Sequence, residues 1–184
     1  MNDILLQRIK NKDKKAFEEL YNRYAAYATR VALAITRRSD LAGDAVQETF
    51  IRVYFNIDKF QIGRPFEPWL YRILVNECNR ILKQGKKVTY IGDYMDYDEN
   101  FSHEDRRSFE EYEELYKAVD SLTDKLRIPV ILKYLKGFKE AEIAEILDLN
   151  VNTVKSRLYK GRQKLKKALA GRNSSEEGRK PHVK

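Results

Sequence analysis

Cysteine is almost absent from this chain. Cys78 is the only one in 184 residues, so no disulfide can form within it, and a reducing compartment fits. Histidine is nearly as scarce, with His103 and His182 both in polar stretches without period. One thiol and two distant imidazoles supply neither a thiolate–imidazole metal cluster nor a nucleophile–histidine pair, so no metal, cofactor or catalytic residue is expected. A metal-dependent nuclease would need clustered carboxylates, whereas the acidic residues here collect in one central stretch without a fixed pattern. No apolar run approaches the roughly 20 residues needed to span a bilayer. The first residues, "MNDILLQRIKNKD", lack a signal-peptide core, and a cytoplasmic location is expected. Glycine and proline are few, 8 and 4, which leaves long segments free to be helical.

What the chain has is charge and helical period. Lys and Arg exceed Asp and Glu by 36 to 28, and a net charge of +8 favours a polyanionic partner. Phe17, Leu20, Tyr21, Tyr24, Ala28 and Val31 recur at three- and four-residue steps and predict one amphipathic helix. A second is predicted from about Leu41 to Ile57, with Val46, Phe50, Val53 and Ile57 on one side. Gly63 and Pro65 interrupt, and Pro68 suits the first turn of a third helix running to about Lys83. The following "YIGDYMDYDENFSHEDRRSFEEYEE" is acidic, tyrosine-rich and largely aperiodic. Beyond it, Phe109, Tyr112, Leu115, Tyr116 and Val119 form one stripe, and Leu126, Val130, Ile131 and Tyr134 another. Pro129 within the latter predicts a kink or a late helix start. The fold is therefore expected to be all-α, with two small helical domains, 1–85 and 108–170. A flexible acidic linker, 86–107, joins them, and a disordered tail, 171–184, follows.

The stretch "FKEAEIAEILDLNVNTVKSRLYKGRQKLKKAL" reads as a helix-turn-helix. Ile143, Ala144 and Leu147 face inward from its first helix, and Leu149 tucks under the turn. Asn150 or Asn152 caps the next helix, from which Val151, Val154 and Leu158 point into the core. Its opposite face carries Asn152, Lys155, Ser156, Tyr159 and Lys160, with Arg157 and Arg162 beside them. Cations there can neutralise phosphates or reach guanine, and amides and hydroxyls can bond base edges.

The segment "FEPWLYRILVNECNRILKQGKK" presents a second polar face. Phe66, Leu70, Ile73, Leu74 and Ile81 fall together as core. Trp69, Arg72, Asn76, Asn79 or Arg80, and Lys83 form another stripe. A flat ring among cations and amides suits bases already unpaired, at about 1–3 kcal/mol per stacked base. Arg64, with Phe60 and Phe66 flanking, can frame a pocket for an extruded base. Trp69 can equally fill core space, Tyr71 points elsewhere and reads as packing, and Cys78 reads as a small buried apolar residue. In the helix before, Asp44, Gln47, Glu48, Ile51 and Phe55 face outward, fit either to dock another protein's helices or to meet the first helix of the same domain.

In order and spacing, "DAVQETFIRVYFNIDKF", "FEPWLYRILVNECNR" and "LKGFKEAEIAEILDLNVNTVKSRLYKGRQKL" resemble the characteristic regions of bacterial RNA polymerase sigma factors. The nearest group is the extracytoplasmic-function (ECF) one, which keeps two domains, and the likeness runs from about residue 5 to 170. It implies a promoter-specificity subunit that binds core polymerase, reads the minus-thirty-five and minus-ten elements and promotes DNA opening, with no chemistry of its own. The helix of Asp44, Gln47, Glu48, Ile51, Arg52 and Phe55 would dock on the clamp helices of the largest polymerase subunit. Phe60, Arg64, Phe66, Trp69, Arg72, Asn76, Asn79, Arg80 and Lys83 would hold the minus-ten element, first as duplex and then as a single strand. Asn152, Thr153, Lys155, Ser156, Arg157, Tyr159, Lys160 and Arg162 would read the minus-thirty-five duplex. The linker would thread toward the polymerase channels. An anti-sigma factor, in this group often membrane-anchored, is implied as a further partner, and no small-molecule substrate is.

Three departures stand out. Ala42 and Gly43 replace charged residues before the Val-Gln-Glu motif, Asn79 stands where many relatives carry Asp, and Asn150 and Asn152 replace the usual Pro and Gly of the turn. The rival reading, a stand-alone helix-turn-helix regulator acting without polymerase, leaves the Trp69 stripe unexplained. An antagonist that mimics these surfaces should be acidic where this chain is basic.

Overall fold

The computed structural model describes residues 3–85 and 118–176, with side chains through Gln84 in the first stretch and Ala170 in the second. The expected linker, the stripe from Phe109 to Tyr116, and both histidines lie outside the described residues. Every regular element among the described residues is helical: α1 Asp3–Lys10, α2 Lys14–Thr36, α3 Ser39–Asn56, a 3₁₀ turn Ile57–Lys59, α4 Phe66–Gly85, α5 Asp124–Tyr134, α6 Glu140–Leu147 and α7 Val151–Glu176. Helix α7 continues past Ala170, where the sequence reading ends the fold.

Local chemistry sets most of these boundaries. Lys12 takes a left-handed φ of 62°, turning the chain so that Asp13 caps α2. The Asp13 Oδ1 accepts the backbone N–H groups of Lys15 at 2.9 Å and Ala16 at 3.1 Å. Helix α2 ends on Arg37, also left-handed at φ 63°, whose N–H returns to the Leu33 carbonyl at 2.7 Å. Helix α3 starts at Ser39, earlier than expected, and carries Gly43 in its interior. Pro129 lies inside α5 without ending it. Gly137, at φ 80°, closes α5 by donating its N–H to the Lys133 carbonyl, while Phe138 donates to Leu132 and folds its ring inward.

Helices α2, α3 and α4 pack together, and α5, α6 and α7 form the second half. In α2 the buried stripe is Ala16, Leu20, Tyr24, Ala28, Val31 and Ile35. Leu20, Tyr24, Ala28 and Val31 are there as expected, but Phe17 is half-buried, and Tyr21 is exposed with its ring 4.8 Å from Phe50. In α5 the expected Tyr134 is exposed, whereas Arg127 is buried.

The two halves meet rather than standing apart. Helix α5 packs on α2, and α6 on α4, so one apolar cluster runs through both. Arg127, only 2% exposed, donates from Nη2 to the Ile35 carbonyl at 2.8 Å and pairs with Asp124 at 2.7 Å. Arg37 donates to the Asp120 carbonyl and pairs with its carboxylate at 3.2 Å. Lys136 bridges to Glu67 at 3.0 Å and lies over the rings of Tyr27 and Tyr71. Tyr71 is fully buried edge-on to Phe138, their centroids 5.2 Å apart. Tyr71 is packing, as the sequence suggests, but its partner comes from the other half of the chain.

Candidate nucleic-acid interface

The helix-turn-helix is built from its turn outward. Glu142 reaches back to accept the Lys139 N–H at 2.7 Å and fixes the start of α6. Asp148, left-handed at φ 53°, ends that helix, and Leu149 N–H returns to the Ala144 carbonyl at 2.9 Å. Of the two candidate caps, the structure uses Asn150: its Oδ1 accepts the Asn152 N–H at 2.8 Å. With Val154 and Leu158 buried, α7 turns Asn152, Lys155, Ser156, Tyr159, Lys160 and Arg162 outward, with Thr153 and Arg157 half-buried at the edge. Gly161 completes the packing, because a Cβ there would meet Val130 Cγ2 at 2.8 Å. Lys125, at the start of α5, lines a shallow groove with Asn152, Ser156 and Lys160. Sequence reasoning misses Lys125, since a lone cation at a helix start carries no signal of what lies across from it.

Helix α4 divides its residues largely as the expected wheel does. Arg64, Arg72, Asn76, Arg80 and Lys83 are exposed, and Asn79 is half-buried beside them. Phe66, at 2% exposure, is core as its place on the wheel predicts, and Phe60 at 4% joins it; the correction is that neither walls an open pocket. Their rings meet edge to face at 5.5 Å, and Phe66 also contacts Tyr24. The loop between the 3₁₀ turn and α4 is short and folds its aromatics inward, where burial favours them. Trp69 is half-buried against this pair, 5.1 Å from Phe60 and 5.7 Å from Phe66. One side of the indole is thus backed by core, and the other borders the polar stripe. Arg72 approaches Asp148 of the helix-turn-helix at 3.8 Å. Cys78 is fully buried, and burial pushes its thiol up to about 12.

On α3, Asp44, Gln47, Ile51, Arg52 and Phe55 are exposed and Glu48 is half-buried. Ile51 at 41% and Phe55 at 70% exposure are not buried against the first helices, as the intradomain-packing reading would require. Between this face and α4 lies a group the sequence reading passes over. Glu77 is 5% exposed and pairs with Arg52 at 2.8 Å and Arg80 at 2.7 Å. Its hydrogen bond raises Arg80 above the ordinary arginine value. No pattern of spacing would have found Glu77, since a Glu between Asn76 and Cys78 reads as one more solvated charge.

A helix-turn-helix following a helix with a polar, cationic and partly aromatic face defines a DNA-binding transcription protein. Residues 20–88 match the family model for sigma-70 region 2, and residues 112–165 that for sigma-70 region 4. The ECF RNA polymerase sigma factor SigW of Bacillus subtilis is 33% identical over 176 residues, spanning 89% of this chain and 94% of that protein. The ECF RNA polymerase sigma-E factor of Haemophilus influenzae is 30% identical, spanning 90% and 93%. The chain belongs to the ECF sigma factors. Among solved structures, CnrH in complex with the cytosolic domain of CnrY shares the fold at a TM-score of 0.71 and 23% identity, with 92% of this chain and 97% of that one covered. The sigma factor RpoE of Bartonella quintana, in complex with the anti-sigma factor NepR, gives 0.68 at 25% identity, with 85% and 98% covered. As a sigma factor the chain is a promoter-recognising, regulatory DNA-binding subunit. No helix among the described residues is long and apolar enough to cross a membrane.

Proposed function

We propose that this sigma subunit divides its work among three faces. Asp44, Gln47, Glu48, Ile51, Arg52 and Phe55 of α3 dock on the clamp helices of core polymerase, with the exposed Ile51 and Phe55 as apolar anchors inside a charged rim. The outward face of α7, from Asn152 to Arg162, enters the major groove of the minus-thirty-five duplex, where Lys155, Arg157 and Lys160 meet phosphates or guanine. Arg64, Trp69, Arg72, Asn76, Asn79, Arg80 and Lys83 hold the minus-ten strand once its bases are apart. Phe60 and Phe66 act behind this face by backing the Trp69 ring, not by touching a base.

The single observation that carries the reading is the exposed Arg72–Asn76–Arg80–Lys83 stripe on a helix whose other faces are buried. Stability alone gives no reason to space cations and an amide along one face of such a helix beside a half-exposed indole. Opening DNA costs stacking energy, and capture of unpaired bases on this face offsets part of it. In the same reading the subunit works in the cytoplasm. An anti-sigma factor, the kind of partner seen with the relatives, covers these faces and holds it at the membrane when that factor is anchored there.

Asn76→Ala is the cleanest test, because Asn76 is exposed and no contact of the fold depends on it. The variant should bind core polymerase like the parent but show permanganate reactivity at the minus-ten thymines reduced about tenfold, the loss of one good base contact. Undiminished reactivity would return α4 to a purely structural role.

A further inference from the structure

Glu77 is a carboxylate almost closed off from water, and each of its oxygens is taken by a different arginine. Oε1 lies 2.8 Å from Arg52 Nε, and Oε2 lies 2.7 Å from Arg80 Nε. Arg52 rises from α3 on the face assigned to polymerase docking, and Arg80 rises from α4 on the face assigned to the promoter strand. The chain of contacts extends at both ends, Arg52 also meeting Glu48 at 3.0 Å and Arg80 Nη1 donating to Gln84 at 3.2 Å. A buried carboxylate with no positive partner is strongly unfavourable, so Glu77 keeps both guanidinium groups beside it. The Arg80 Nε–H donates to Oε2, a charge-assisted bond that fixes direction, while Arg52 is held at Nε as an ion pair that Glu77 shares with Glu48.

We propose that Glu77 is a positioning residue shared by the two surfaces, presetting Arg52 for the polymerase and Arg80 for the backbone of the opened strand. The proposal rests on the assignment of those two faces given above. Free surface arginines sample many rotamers and lose that freedom on binding. One held in place beforehand loses less, a difference worth about three- to tenfold in affinity for each side chain. Core stability alone would be served equally by an apolar residue at 77, because the Arg52 and Arg80 side chains are 44% and 42% exposed and no buried charge would be stranded.

The experiment uses the full chain with Glu77→Leu and Glu77→Gln, beside Arg52→Ala and Arg80→Ala. Two affinities are read: sigma for core polymerase, and a single-stranded minus-ten oligonucleotide for holoenzyme assembled at saturating core. Both Glu77 variants should weaken each affinity by about three- to tenfold. The loss should be non-additive, with Glu77→Leu adding little to Arg52→Ala in polymerase binding and little to Arg80→Ala in oligonucleotide binding. Parental affinities for Glu77→Leu, while both arginine variants lose binding, would overturn the proposal and leave the face assignment standing. If Arg52→Ala and Arg80→Ala change neither affinity, the face assignment itself fails and the proposal with it. One measurement needs no variant: the Nε–H proton of Arg80 should exchange slowly with solvent in the free protein. Exchange as fast as that of exposed arginines overturns the proposal however the variants fold.

Discussion

At the scale of single residues, the chain uses charged side chains mainly as fasteners. Asp13 is the clearest case, an N-cap whose carboxylate accepts two backbone N–H groups and pairs with Arg8 at 2.8 Å. The Ala16 N–H bond and the Arg8 guanidinium hold its carboxyl below the ordinary value of 3.8. A depressed folded value means the contribution is whole above the unfolded value and is lost as the pH falls through the folded one. Asn caps a helix as well as Asp but does not titrate. Asp13→Asn should therefore flatten the acid limb of the thermal midpoint between about pH 5 and pH 2. An acid limb as steep as the parent's would show that the cap does not set it. Other fasteners, such as Glu142 on the Lys139 N–H, were legible as residue types, but Glu77 was not. Its role depends on Arg52, which comes from another helix.

At the scale of helices, two interior glycines illustrate how position overrides propensity. Gly43 in α3 has nothing within 4 Å of where a Cβ would stand. Gly43→Ala should stabilise the protein by about 0.5–1 kcal/mol, through the backbone entropy glycine loses on folding. Gly161 in α7 sits against α5, with Val130 Cγ2 only 2.8 Å from the built Cβ. There the same substitution gains about 1 kcal/mol of propensity. It also overpacks a buried β-branched neighbour at about 1–3 kcal/mol, for a net loss on the order of 1 kcal/mol. Urea denaturation of the two variants should move the midpoints in opposite directions, and two shifts of the same sign would refute the packing argument. Gly43 lies near the predicted start of α3 at about Leu41, yet the helix begins at Ser39. Burial of Ala42, Ala45 and Val46 outweighs the glycine.

At the scale of the molecule, the two halves are fastened in an arrangement that cannot read a whole promoter. Asp148, three residues before Val151 opens the recognition helix, touches Arg72 on α4. Three residues of extended chain reach at most about 11 Å, which places the two DNA faces on the order of 20 Å apart. The proposed elements, about 25 base pairs apart at about 3.4 Å each, are separated by about 85 Å. On the proposed assignment the halves must part before both are engaged, and Asp148 meanwhile pairs with Arg72, which that assignment gives to the promoter strand. Labels on Glu18→Cys and Lys164→Cys report this directly, since the buried, weakly acidic Cys78 will not compete for a maleimide. Energy transfer between them should fall as core polymerase is added. Arg127→Ala, which removes the bond to Ile35, should shift the free protein toward the separated form by about 1–3 kcal/mol. A transfer efficiency unmoved by polymerase would mean that the halves do not part.

The sequence by itself determined the helical class, the order of the helices, the helix-turn-helix and the outward faces of α3 and α7, because each follows from spacing along a single helix. It also separated Arg72, Asn76 and Lys83 from the apolar stripe of α4, while leaving Trp69 open between the two. Only the tertiary structure decided that Phe60 turns inward beside Phe66, that Tyr71 and Arg127 join the two halves, and that Glu77 holds an arginine from each face. These depend on which helices become neighbours in space. A one-dimensional period shows which side of a helix is apolar, but not what another helix brings to meet it.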